Sequence, residues 1–189
     1  MASDAELIGC SLAGDREAFV GVIVRHEAAI GAYLVRRVGR EAAEDMLSEV
    51  WLAAFTSRNS YDRSFPDARP WLFGVARNML RRHWRSVPPE DSRSDVAELG
   101  AAWDPWTVVE NGLDTHAMLR SALMRLRPSE REVLFLVAWE DLSVVDAARV
   151  LGIPSGSAYR HLHQARLELR SSPGMEELMS GLDLIKESK

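Results

Sequence analysis

Four arginines, Arg77, Arg81, Arg82 and Arg85, fall within PWLFGVARNMLRRHWR, residues Pro70–Arg85. Projected as a helix, the segment has an apolar arc of Trp71, Leu72, Val75, Ala76, Met79 and Leu80. The other arc carries Arg77, Asn78, Arg81, Arg82 and Arg85 and no acid. Guanidinium groups at this spacing suit phosphates. Just upstream lie Arg58, Asn59, Tyr61 and Phe65. Aromatic rings beside a basic groove suit unstacked, single-stranded bases.

A second group sits in Ser155–Arg170. Ala158, Leu162, Ala165 and Leu169 share one helical face, and Ser157, Arg160, His163 and Gln164 take the opposite one, with His161 at its edge. Arg and Gln can each make paired hydrogen bonds to base edges in the major groove. Arg166 and Arg170 lie to one side, placed for phosphates. His161 and His163 are two positions apart, whereas helical metal ligands want three or four. A third group is acidic: Glu41, Glu44, Asp45 and Glu49 occupy Glu41–Phe55, which holds no basic residue. Glu41, Asp45 and Glu49 repeat every four residues, so like charges stack and the helix is mildly destabilised unless a basic partner relieves it.

Helices must position all three groups, because no run shows the alternation and turn signals of a strand. The periodicity predicts a short helix near Ala5–Leu12, with Ser3 and Glu6 as a capping box. Asp15–Val38 follows, with Phe19, Ile23, His26, Ile30 and Leu34 on one stripe, and Gly39 breaks it. Glu41–Phe55 is expected to turn Ala42, Met46, Leu47, Val50, Trp51 and Ala54 inward. Pro70 suits the first position of the arginine helix. Pro88–Asp114 holds seven acids and one arginine with little periodicity and is expected to be a flexible linker. Its 27 residues would span about 90 Å fully extended.

Beyond the linker, Leu113–Leu126 is expected to form one helix, and Ser129 with Glu132 a capping box for Glu130–Trp139. Ser143 caps Val144–Leu151; Gly152 can take the left-handed conformation that ends it. Together with the helix after Pro154 this has the spacing of a helix-turn-helix. The tail, residues 171–189, is amphipathic, with Met175, Leu178, Met179, Leu182 and Ile185 at helical spacing.

The fold class is thus all-α: two small helical domains joined by an acidic linker, the second containing a helix-turn-helix. The division is residues 1–87, linker 88–112, 113–170, and tail 171–189.

Composition narrows the function. The net charge is −5 and the pI about 5.6. A stand-alone DNA binder usually carries a basic surplus, so another component is expected to supply much of the affinity. No apolar run reaches the roughly 20 residues a bilayer needs, and the first residues lack a signal peptide's pattern; a cytoplasmic protein without a membrane role is expected. The lone Cys10 can make neither an internal disulfide nor a cysteine-based zinc site. No phosphate-cradling loop, paired nucleophile or metal spacing points to an enzyme or a cofactor.

The ordered combination resembles the small two-domain sigma factors of the extracytoplasmic-function group. The first block carries Ala18-Phe19, Arg25-His26, Tyr33-Leu34, Ala43-Glu44-Asp45, Glu49-Val50-Trp51 and Arg69-Pro70-Trp71-Leu72-Phe73-Gly74-Val75-Ala76-Arg77-Asn78. The second carries Leu126-Arg127-Pro128, Glu130-Arg131-Glu132-Val133-Leu134, Leu151-Gly152-Ile153-Pro154 and Leu162-His163-Gln164-Ala165-Arg166. The resemblance implies that Glu41, Glu44, Asp45 and Glu49 dock on the clamp helices of core RNA polymerase, with the flap as a further contact. It implies that Arg58, Asn59, Tyr61, Arg77, Asn78, Arg81, Arg82 and Arg85 read a promoter −10 element, and that Ser157, Arg160, His161, His163, Gln164 and Arg166 read the −35 element. It also implies an anti-sigma partner. The chain departs from the family after Pro154: a tyrosine, Tyr159, enters and the basic residue moves to Arg160. An autonomous helix-turn-helix regulator is the competing expectation; it would leave the arginine and acidic faces without a role. An interaction module that has lost DNA binding is another.

Overall fold

The computed structural model describes residues 2–86 and 121–171, and every regular element among them is helical. The chain divides into two compact units, Met1–Ser86 and Val87–Lys189. The expected linker, the start of the Leu113–Leu126 helix and the amphipathic tail lie outside the described residues.

The first unit holds α1 (Asp4–Leu12), α2 (Ala18–Thr56), a 3-10 turn (Arg58–Ser60) and α3 (Arg69–Ser86). The expected capping box starts α1: the Ser3 hydroxyl accepts from the Glu6 N–H at 3.2 Å, and the Glu6 carboxylate accepts from the Ser3 N–H at 2.7 Å. The two long helices expected around Gly39 run on as one element with a break at that residue, where φ is 80° and ψ 170°. That conformation is essentially reserved for glycine, so Gly39 separates an N-terminal arm from the acidic arm. By length and composition α2 could cross a bilayer. Yet Phe19, Val22, Ile30, Leu34 and Val50 are fully buried within the unit, which is the pattern of a core helix. α1 crosses α2 at Gly21, where a Cβ would stand 3.0 Å from a Leu7 methyl. Edge-on aromatic pairs, Tyr33 with Phe73 and Phe19 with Phe55, close the core.

The second unit begins, among the described residues, with helical residues 121–125 and continues with α4 (Pro128–Ala138), α5 (Val144–Leu151) and α6 (Ser155–Ser171). α4 starts two residues before the expected Glu130, and Ser129 is not its cap. Pro128 takes the first position, which its fixed φ favours, and the Glu130 carboxylate accepts from the Arg127 N–H at 3.0 Å. At α5 the expectation holds: the Ser143 hydroxyl accepts from the Asp146 N–H at 3.0 Å, and Gly152 ends the helix at φ 68°, ψ 34°. Arg131 is a buried charge. Its guanidinium donates to the carbonyls of Leu123 and Leu126, each at 3.0 Å, and of Met124 at 3.4 Å. It thereby satisfies the end of the preceding helix, where carbonyls lack intrahelical partners. Leu123, Leu134, Phe135, Ala158, Leu162 and Leu169 form the core.

Candidate nucleic-acid and polymerase interfaces

The buried stripe of α3 is Leu72, Phe73, Ala76 and Leu80, each at 0% exposure. It is rotated toward Phe73 relative to the predicted arc, and Trp71, Val75 and Met79 are only half-buried. At about 100° per residue the rotation centres the outward face on Asn78, Arg82 and Arg85, all exposed. Arg81 lies on its shoulder, half-buried, and Arg77 lies closer to the core. Trp71 joins this outward face, whereas the sequence places it inside.

Tyr61 moves the other way. It is buried, its ring packed on Trp71 with centroids 5.4 Å apart, and its hydroxyl donates to the Phe65 carbonyl. Burial, together with the negative charges of Asp4, Asp67 and Asp62, pushes its phenol up to about 12. Tyr61 thus stays a neutral donor and supports Trp71 from behind. Asn59 is exposed. Arg58 is half-buried: it donates to the Phe55 carbonyl at 2.5 Å and stacks 4.0 Å above the Phe55 ring. That ties the 3-10 turn to the end of α2 and leaves Arg58 a smaller surface for contact.

α6 follows its predicted projection. Ala158, Leu162, Ala165 and Leu169 are buried, Arg160, His163 and Gln164 exposed, and Ser157, His161 and Arg166 half-buried. Arg160 donates to the Ser157 hydroxyl at 3.0 Å, which holds the guanidinium along the outer face. Arg160, His161, His163 and Gln164 line an open groove together with Tyr159, Arg127 and Glu130. Sequence reasoning assigned no role to the last three. The signal for Tyr159 was present, as an aromatic placed beside Arg160. Arg127 and Glu130 come from the start of α4 and reach the groove only through tertiary packing.

On the second arm of α2, Glu41, Glu44, Asp45 and Glu49 are all exposed, and among the described residues none forms an ion pair. Leu52, 67% exposed, extends the same surface by three residues beyond Glu49. Its inner side buries Ala43, Met46, Val50 and Ala54; the predicted inward residues Ala42, Leu47 and Trp51 are half-buried. Like charges therefore stay in water, where their repulsion is screened, and an exposed apolar residue adjoins them.

The sigma-70 region 2 family matches residues 22–87, and the sigma-70 region 4 family matches residues 116–169. The two matches span more than half of the chain and meet the arginine helix and the helix-turn-helix respectively. The chain is 30% identical over 159 residues to the ECF RNA polymerase sigma factor BldN of Streptomyces coelicolor, covering 80% of this chain and 59% of BldN. It is 29% identical over 174 residues to SigM of Mycobacterium tuberculosis, covering 88% of this chain and 83% of SigM. SigM of Bacillus subtilis is 29% identical over 136 residues, covering 70% and 80%. In fold the chain is similar to CnrH, solved in complex with the cytosolic domain of CnrY, with a TM-score of 0.60 and 22% identity over 94% of this chain and 97% of that one. It is similar also to the sigma factor RpoE of Bartonella quintana, solved with the anti-sigma factor NepR, with a TM-score of 0.55 and 22% identity over 86% and 96%. The chain therefore belongs to the extracytoplasmic-function group of RNA polymerase sigma factors, alternative sigma factors that direct transcription initiation.

Proposed function

We propose that the three surfaces divide the work of promoter-specific initiation among docking, −10 recognition and −35 recognition. The observation that carries this reading is the separation of charge. An acidic arm and a basic helix lie in one unit, and a second, mixed polar helix lies in the other, within a chain of net charge −5.

The arm of Glu41, Glu44, Asp45 and Glu49 docks on the basic clamp helices of core RNA polymerase, with Leu52 supplying apolar contact. Rim charges steer encounter, and a desolvated apolar residue contributes more lasting affinity. α3 faces the −10 element. Asn78, Arg81, Arg82 and Arg85 hold the backbone of the melted strand, Arg77 flanks them, and Trp71 offers a stacking surface that Tyr61 supports from behind. Asn59 and Arg58 border the same face. α6 lies in the major groove at the −35 element. Arg160 and Gln164 contact base edges, Ser157, His161 and His163 extend the contact, and Arg166 takes a phosphate.

The working division is residues 1–87 for docking and −10 recognition, 88–112 as linker, and 113–170 for −35 recognition. The protein acts in the cytoplasm and catalyses no reaction; polymerase does the chemistry. CnrH was solved with the cytosolic domain of CnrY and RpoE with the anti-sigma factor NepR, and an anti-sigma factor that covers these surfaces is the matching partner here.

The test is reconstituted run-off transcription with Arg160→Ala and Gln164→Ala. A good paired contact discriminates by about 1–3 kcal/mol. Each change should therefore lower output from promoters with an intact −35 element by roughly ten-fold and leave core binding unchanged. Unchanged output from both variants, or tight binding to a palindromic duplex without polymerase, would move the assignment to an autonomous regulator.

A further inference from the structure

The start of α1 is tied to the loop that leads into α3. Asp4 is 1% exposed. Its Oδ2 accepts from the Ala68 N–H at 2.8 Å and stands 2.7 Å from His26 Nε2; its Oδ1 pairs with the Arg25 guanidinium. The Asp4 N–H donates to the Pro66 carbonyl at 3.0 Å. Arg25 also donates to the Ala2 carbonyl at 2.9 Å, which fastens the chain just before α1. Asp67 lies beside this knot, its Oδ1 at 3.9 Å from His26 Nε2 and accepting from the Arg69 N–H at 2.8 Å. Then α3 begins: the Leu72 N–H donates to the Ala68 carbonyl at 2.9 Å. Asp4 thus joins α1, the first arm of α2 and the loop before the arginine helix, through its carboxylate to His26, Arg25 and Ala68 and its N–H to Pro66.

Asp4, His26 and Asp67 have the composition of a cation site, with ligand-type atoms within 4.8 Å of one another. The two Asp4 oxygens are already engaged by His26, Ala68 and Arg25, so the geometry is that of a hydrogen-bonded clasp. Burial alone would favour the neutral acid, but the hydrogen bonds from His26 and Ala68 and the neighbouring His26 and Arg25 side chains outweigh it and hold the carboxyl below its ordinary value. Residues 66–68 form no helix of their own, and the Ala68 N–H held by Asp4 lies immediately ahead of the start of α3.

We propose that Asp4 is a positioning residue for promoter opening: through the Pro66–Ala68 loop it sets the placement of α3, and with it the arginine face and Trp71. The inference rests on the assignment of α3 to the −10 element. Asp4 acts through α3 and does not touch DNA. A buried bond network of this kind has two consequences. The reading face is held in place before DNA arrives, and a small misplacement remote from the contact lowers the rate of the step that depends on it.

The experiment uses the full chain with Asp4→Ala, and with Asp4→Asn as a variant that keeps an acceptor for the Ala68 N–H. Amide exchange is followed over residues 66–72 and over Ala43–Ala54. Core binding is measured together with the rate of opening on a fully paired promoter and on one whose −10 stretch is unpaired by mismatches. For Asp4→Ala, exchange at Ala68 and Leu72 should rise roughly ten-fold or more while Ala43–Ala54 stays as in the parent, and core affinity should hold within about two-fold. Opening of the paired promoter should slow by roughly ten-fold, and the mismatched promoter should recover most of that loss. Asp4→Asn should lose less on both readouts. The proposal is overturned if folded Asp4→Ala opens the paired promoter at the parent's rate. It is equally overturned if core binding and opening fall together, or if the mismatched template gives no recovery. A parent protein that starts no transcription with core polymerase would refute the functional assignment instead, and the exchange at Ala68 would still decide whether the clasp exists.

Discussion

Arg131→Met should strongly destabilise the second unit while leaving the first intact. Arg131 is 4% exposed, and its guanidinium donates to the carbonyls of Leu123 and Leu126 at 3.0 Å and of Met124 at 3.4 Å. The two short bonds come from a charged donor, and such bonds contribute about 1.5–3 kcal/mol each; the long one adds little. Methionine fills similar volume but leaves the three carbonyls buried without these donors. Removing a buried charge gives back part of its desolvation cost. The net loss should be about 3 kcal/mol, a large fraction of what holds a small unit together. It is read by amide exchange at Val133–Leu136, residues at the centre of α4. At about 1.4 kcal/mol per ten-fold, exchange there should accelerate by roughly 100-fold, with Ala43–Ala54 in the first unit unchanged. Arg131→Lys keeps the charge but not the planar fork, and should lose about half as much. A change of less than about 0.5 kcal/mol in Arg131→Met would mean that packing, not the guanidinium, holds the preceding helix on α4.

Three further outcomes follow from the surfaces. Arg81→Glu reverses charge on the proposed DNA face alone; promoter opening should be lost while core polymerase binds normally, and lost core binding in a folded variant would refute the assignment. Reversing Glu41, Asp45 and Glu49 together should weaken core binding by roughly 3–150-fold, at about 0.2–1 kcal/mol per exposed charge pair, and unchanged affinity would remove the docking role. The Asp4 carboxyl is held below its ordinary value in the folded chain. Its contribution is therefore fully present above the unfolded value and lost as pH falls through the lower folded value. Acid unfolding of the first unit, followed by circular dichroism between about pH 5 and pH 2, should have a shallower dependence in Asp4→Asn than in the parent.

Local signals carried much of the fold. Ser3, Ser143 and Gly152 act within three or four residues of their partners, and Gly39 needs only its own backbone freedom, so each was legible in the sequence. The inner face of α6 was legible because Ala158, Leu162, Ala165 and Leu169 repeat at helical spacing, and the remaining large apolar residues, Tyr159 and Leu167, fall off that stripe and are exposed. α3 was harder. Its apolar residues cover more than half the circumference, so the pattern cannot say which edge is buried, and Tyr33 decides it by packing edge-on against Phe73. The expected placement of Tyr61 and Trp71 changes with it: Tyr61 is buried behind a half-buried Trp71. At α4 a proline outcompeted a serine for the helix start. The clasp was not legible at all: Asp4, His26 and Ala68 are 22 and 64 residues apart from Asp4 outward, and no local pattern marks a contact of that range. Arg127 and Glu130 joined the groove of α6 for the same reason.

The central claim is tested most directly by co-purifying the full chain with bacterial core RNA polymerase and running the complex on a genomic promoter library. A stable complex that starts transcription at new, discrete sites, sharing one −10 and one −35 sequence, is the expected result. Failure to bind core, together with tight binding to duplex DNA by the chain alone, would contradict it.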